Sequence, residues 1–166
     1  MNQENGFQSG VLPPALAAIS IGIVGVIGMA SGMPWLFPSL GPTLALQTAA
    51  PDLPGSRSFN VVVGHLIGLS AGFAAVHLTH AVDVLPVTDA HALSGPRIAA
   101  AVLAVFLSMI VQHLVKAKHP PAEATTLLIA LGNLEPTMRT ALTIISGVLI
   151  MALLGEISRR AAYKKT

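Results

Sequence analysis

The chain has 166 residues, of which 53% are hydrophobic and 10% charged, with no cysteine and a formal net charge of +2. Soluble domains carry about 25% charged residues, so a lipid bilayer is the expected solvent for most of this surface. A disulfide scaffold and a thiolate site are excluded, and so small a net charge is not that of a nucleic-acid binder, so no nucleic-acid partner is expected.

Met1 to Gly10 is polar, has Glu4 as its one charged side chain and lacks the basic start of a signal peptide; it reads as a short cap. Leu12 to Ser31 follows without a charge, opened by Pro13-Pro14, and is long enough to span. Gly28 and Gly32 have the small-xxx-small spacing that lets another helix come close. Met33 to Ala50 reads as an extended Pro34-Trp35-Leu36-Phe37 and then a helix of about twelve residues, started at Pro38 and stopped before Pro51. Pro51 to Ser58, with Asp52 and Arg57, is a turn-rich aqueous connector.

Phe59 to Thr79 is the second long helix, and Gly64, Gly68 and Gly72 form two consecutive GxxxG steps, predicting a tight helix contact or a backbone-lined path. His65 lies beside that glycine face, and a titratable group in a membrane helix usually faces a cavity. His77 and His80 lack a third ligand at fixed spacing and read as interfacial anchors, so no metal and no cofactor are expected. Ala81 to Gly95 is a loop separating two halves.

Ile98 to Val115 is the third long helix, polar only at Ser108, Gln112 and His113 near its end. The stretch from Lys116 to Gly132 then gathers charge, prolines and hydroxyls where oil is expected. Pro120 and Pro121 suit a first helical turn, and Gly132 with Asn133 suits its stop. Pro120 to Leu131 spans roughly 18 Å, well short of a hydrocarbon core of roughly 30 Å. A half-length helix in a membrane needs an anion, water or side chains for its first N–H groups. After the connector with Glu135, Pro136 and Arg139, Ala141 to Leu154 is the fourth long helix. Glu156 with Arg159 and Arg160 reads as a surface pair, and the basic tail Arg159, Arg160, Lys164, Lys165 marks a cytoplasmic side.

Laid over itself at a shift of 83, the chain matches Pro13 to Pro96, Gly64 to Gly147 and Gly72 to Gly155; at 82, Pro38 matches Pro120 and Thr43 matches Thr125. The expected architecture is therefore a single all-α transmembrane domain, 1–166, with four long helices and two short, Pro-started, broken or re-entrant ones. It is expected as an internal repeat of halves 11–83 and 94–160. Length favours re-entrant short helices. Charge favours six crossings, which put seven Lys and Arg on one side against two on the other.

Lys118-His119-Pro120-Pro121-Ala122, with Phe37-Pro38-Ser39-Leu40-Gly41-Pro42-Thr43 upstream, resembles the HPP family of integral membrane proteins over nearly the whole chain. The resemblance implies four membrane-spanning helices and a link to nitrite transport. Glu123 departs from the small residue associated with that position, which speaks against a purely anion-friendly pocket.

The chemistry expected is recognition of a small anion, with nitrite as the implied substrate, and no bond breaking. Candidate binding residues are Ser39, Gly41, Thr43, His65, Lys116, Lys118, His119, Pro120, Pro121, Glu123, Thr125 and Thr126. Helix N-termini present partial positive charge, and the hydroxyls can donate to an anion or bond to their own helix backbone. Glu123 is a first-turn acid or a proton-coupling carboxylate. The expected setting is a bacterial inner membrane, with the C-terminus cytoplasmic and the chain a homo-oligomer. Two other readings stay open: an intramembrane hydrolase assembled from Ser39, His65, His119 and Glu123, and a structural accessory subunit.

Overall fold

A computed structural model describes the backbone of residues 3–163 and the side chains of residues 10–160; Met1, Asn2, Lys164, Lys165 and Thr166 lie outside the described residues. The regular elements of the described chain are all helices: α1 (Gln3–Ser31), α2 (Leu40–Ala49), α3 (Ser58–Leu78), α4 (Val87–Ala90), α5 (Gly95–Leu114), α6 (Ala122–Ala130) and α7 (Met138–Tyr163), with single 3-10 turns at Pro54–Ser56 and Ala81–Asp83. Four stretches are long and apolar enough to cross a membrane: Gly10–Ser31, Ser58–Leu78, Gly95–Leu114 and Met138–Arg160. Large apolar side chains on their outer faces, such as Met29, Val102, Phe106 and Leu153, are exposed, as a hydrocarbon solvent requires.

Two expectations are corrected. Instead of a cap over Met1 to Gly10, α1 is already helical from Gln3 and holds Pro13 and Pro14 inside it; each proline removes only one N–H donor, and the remaining backbone bonds carry the helix across. The short helices begin later than expected, at Leu40 and Ala122, because Pro38-Ser39 and Pro120-Pro121 form the turns that precede them.

What positions the site is the path of the two short segments. After α1 the chain doubles back: Met33 N donates to Gly28 O at 3.0 Å, Trp35 packs at Gly28 and Leu36 at Gly25. After α5 it does the same more fully. Ala117 N donates to Gln112 O, Glu123 meets Ser108 one turn earlier on α5, and Gly132 ends against Arg97 in the first turn of α5. The segment 117–132 therefore runs the whole length of α5 in the opposite direction, so it does not return to the face it left.

Contacts at both ends agree. At the Arg57 end, Asn60 Nδ2 donates to Lys118 O and Ser58 Oγ to Ala152 O. At the Arg97 end, Val87 N donates to Leu131 O, and Thr143 Oγ1 lies 3.9 Å from Met33 Sδ. The described chain therefore runs the length of the bundle six times, and the outer ends of α1 and α7 lie at the Arg57 end.

α3 is the central helix, packed on α5, α6 and α7, while α2 lies between α1 and α7. The glycines of α3 make this possible. A Cβ on Gly68 would stand 2.5 Å from Thr126 Oγ1, and one on Gly64 would stand 2.6 Å from His119 Cβ, distances no packed pair tolerates. On α7, Gly147 meets Phe37 and Gly155 meets Gln47 in the same fashion. Between the helices, Leu40, Leu44, Val61, Val76, Ile129 and Met151 are fully buried.

Candidate functional site

The start of α2 and the turn before α6 meet in the middle of the bundle, beside the glycine face of α3. Ser39, Thr43, His65, His119 and Thr125 come together there, each 1% exposed or less. Ser39 Oγ and Thr125 Oγ1 are 2.8 Å apart, which joins the two short helices directly. His65, from α3, bridges them: its Nδ1 lies 2.9 Å from Thr125 Oγ1 and its Nε2 lies 3.1 Å from Thr43 Oγ1. Thr43 Oγ1 is also 3.1 Å from His119 Nε2 and 2.8 Å from Ser39 O. The two imidazole rings sit 5.0 Å apart, tilted by 60°.

His119 is held from two sides. Its Nδ1 donates to Gly55 O at 2.8 Å, so that nitrogen carries a hydrogen. Its backbone N–H donates to Gln112 Oε1 at 2.8 Å, and Gln112 Nε2 in turn donates to Glu123 Oε1 at 2.8 Å and to Ser108 Oγ at 2.9 Å. Ser108 Oγ also donates to Glu123 Oε1 at 2.9 Å. Glu123 Oε2 is buried and has no hydrogen-bond partner among the described residues. Glu123 is thus the end of a polar relay from His119 through Gln112.

The remaining candidates divide. Thr126 packs against Gly68 and bonds Ala122 O in its own helix at 3.2 Å, as a hydroxyl in a helix commonly does. Pro121 is buried, while Gly41 and Pro120 are exposed on the outer side of the short helices. Lys116 and Lys118 are exposed at the Arg57 end, with Lys116 in the left-handed region at φ 57°. The N–H groups of Ala122, Glu123 and Ala124 close turns onto the carbonyls of His119, Pro120 and Pro121, so the first turn of α6 does not leave them free. The donors directed into the cluster are side chains. Ser108, Gln112 and the Gly55 carbonyl belong to the site as well, although the sequence reading assigned them no role in it.

Two recesses approach the cluster from opposite ends. One of about 270 Å³ lies between α5 and the turn before α6, toward the Arg57 end, and is lined by the exposed Met109, His113 and Pro120 as well as Gln112, Lys118, His119 and Glu123. The other, of about 320 Å³, opens at the Arg97 end between Asn133, Glu135, Arg139 and Thr143, and includes Phe37, two residues before Ser39. Ser39, Thr43, His65 and Thr125 lie between them and line neither. Among the described residues no group of three or more His, Asp or Glu side chains converges as a metal site would require.

No curated protein and no solved structure matches the chain. The family model described as "HPP, transmembrane region" matches residues 8–166, which is nearly the whole chain and includes both short helices and every residue of the cluster. The chain is an integral membrane protein and belongs to the HPP transmembrane family.

Proposed function

We propose that this protein moves a small inorganic anion, nitrite first among them, across the membrane, and that the anion passes through the cluster of Ser39, Thr43, His65, His119 and Thr125. The observation that carries the reading is the pair of recesses that approach this cluster from opposite ends, one reaching His119 and the other Phe37. That is the arrangement of an occluded carrier: polar donors at mid-depth, wet from neither side, on short helices that interrupt the long ones. A nitrite-sized anion offers few oxygens, and three hydroxyls with two imidazoles are a fitting number of donors.

The reading includes two copies of one three-helix unit in inverted orientation. Its support is the pairing of contacts: Gly64 meets His119 and Gly147 meets Phe37, while Gly72 meets Ile129 and Gly155 meets Gln47. The glycines are 83 residues apart in each case and their partners 82 apart, the same shifts that align the sequence. It also places the Arg57 end, with the greater share of Lys and Arg, in the cytoplasm of a bacterial cell. We keep the homo-oligomer as part of the proposal; cross-linking in native membranes tests it.

A hydrolase is the competing class. Its nucleophile would be Ser39, yet Ser39 Oγ bonds Thr125 Oγ1 and not an imidazole, and Glu123 reaches His119 only at its backbone N–H through Gln112. Purified protein in liposomes separates the readings. The proposal expects saturable nitrite flux with nitrate, chloride and formate as comparisons, and no turnover of esters or peptides; turnover without flux would replace it.

A further inference from the structure

The cluster is one hydrogen short of its own hydrogen bonds. Its five side chains make six contacts, counting Ser39 O and Gly55 O as acceptors. With both imidazoles neutral, three hydroxyls and two ring N–H groups supply five hydrogens for these six contacts. The shortfall falls at Thr43. Gly55 O can only accept, so His119 Nδ1 holds the ring hydrogen and a neutral His119 Nε2 is an acceptor. Ser39 O also only accepts; it already takes the Thr43 backbone N–H at 3.2 Å, but the single Thr43 hydroxyl hydrogen must still choose between Ser39 O and His119 Nε2.

A sixth hydrogen on His119 Nε2 resolves this in one way only. His119 Nε2 donates to Thr43 Oγ1, and Thr43 turns its hydrogen to Ser39 O. His65 then donates from Nε2 to Thr43, Thr125 donates to His65 Nδ1, and Ser39 donates to Thr125. The same hydrogen placed on His65 makes both of its nitrogens donors, so Thr125 turns its hydrogen to Ser39 Oγ and the Ser39 hydrogen has no contact to close. One contact is then always unmade. His119 is therefore the ring whose protonation closes the network.

We propose that His119 takes one proton at Nε2 together with the anion, which accepts hydrogens that the hydroxyls turn away from one another, so that the protein is a proton-coupled anion carrier. This rests on the reading of the cluster as the anion site. A buried cation or a buried anion alone is costly, whereas the two together are a neutral pair, so each raises the affinity for the other. On uptake an O–H bond of hydronium breaks as Nε2–H forms, leaving water, and on release at the other face Nε2–H breaks as water takes the proton back. The elements around His119 carry Glu123 on α6, one hydrogen bond beyond Gln112; His65 on α3; His113, Lys116 and Lys118, exposed at the end of α5; Asp52 and Arg57, exposed before α3; and Glu156 with Arg159 and Arg160 on α7. α2 carries no titratable side chain.

The test uses the wild-type protein labelled with ¹⁵N-histidine in liposomes, titrated from about pH 8 to 4 with nitrite or with chloride, alongside nitrite flux and internal pH. The spectra are assigned with the single variants His65→Gln and His119→Gln. The proposal expects His65 to keep its hydrogen on Nε2 throughout, and His119 to pass from Nδ1–H to doubly protonated. Nitrite should raise the midpoint of that change by about one pH unit, a tenfold coupling, with internal acidification accompanying uptake. A doubly protonated His65, a His119 that stays neutral across the range, or a His119 midpoint indifferent to nitrite overturns it. Nitrite flux without proton movement overturns the coupling and leaves the anion reading standing; absent flux with an indifferent midpoint removes both.

Discussion

Replacing Thr43 by Val tests whether the buried cluster is a network or a set of separate side chains. Valine has the shape of threonine, so packing against α3 and α6 is nearly kept, while three contacts are lost: those to His65 Nε2, His119 Nε2 and Ser39 O. Ser39 O retains the Thr43 backbone N–H at 3.2 Å and is not orphaned. His65 Nε2 and His119 Nε2 are both left without a partner in a site 1% exposed or less. An unpaired buried polar group costs about 1–3 kcal/mol, so the pair predicts a loss of about 2–6 kcal/mol. Thr48 on the same helix supplies the comparison, because its hydroxyl bonds only Leu44 O, four residues back, and is 4% exposed. Thr48→Val should therefore cost about 1 kcal/mol or less. The assay is equilibrium unfolding in detergent or bicelles, with Thr43→Ser as the variant expected to retain most of the stability. Equal losses for Thr43→Val and Thr48→Val would refute the network.

Gly68→Ala places a methyl group 2.5 Å from Thr126 Oγ1 and is expected to destabilise by about 1–3 kcal/mol, whereas Gly22→Ala, with nothing within 4 Å, should be neutral or slightly stabilising; unfolding of the two variants side by side checks this. Arg97 ties three backbone carbonyls together, those of Val84, Leu85 and Ala130, so Arg97→Met should speed hydrogen exchange at the end of α6 and in the loop before α5, with Arg97→Lys recovering only part of the protection. Lys116→Gln with Lys118→Gln should slow nitrite uptake at low ionic strength, with little effect at high salt and none on the amount of folded protein, as flux assays across a salt series would show. Salt-independent slowing would instead put one of these lysines in the path.

How much of this was legible beforehand depends on what each residue advertises. The long helices announce themselves as uncharged runs, and the polar cluster shows in part because His65 and Thr43 are conspicuous in uncharged surroundings, while His119 and Thr125 stand in a polar stretch between two apolar helices. Ser108 and Gln112 are equally polar, but their importance arises only when segment 117–132 runs back along α5 and brings His119 and Glu123 beside them. Gly55 has no side chain at all, and a backbone carbonyl that orients His119 leaves no mark on residue type. The late starts of α2 and α6 were hidden for a related reason: a proline suits the turn before a helix as well as its first turn. The six passes through the bundle were favoured by charge and not by length, because helix length counts only residues in the short helix and misses the extended chain that completes each pass.

If the anion meets the side chains of the cluster, the His-Pro-Pro stretch is not scaffold alone. Nitrite affinity of His119→Ala and Thr125→Val, measured beside that of Pro121→Ala on protein of known thermal stability, tests it most directly. His119→Ala and Thr125→Val are expected to weaken nitrite binding by about 5- to 150-fold, the equivalent of losing one placed donor at about 1–3 kcal/mol, while Pro121→Ala chiefly lowers stability. If His119→Ala and Thr125→Val lose stability but bind nitrite as the wild type does, the cluster is scaffold and the anion passes elsewhere.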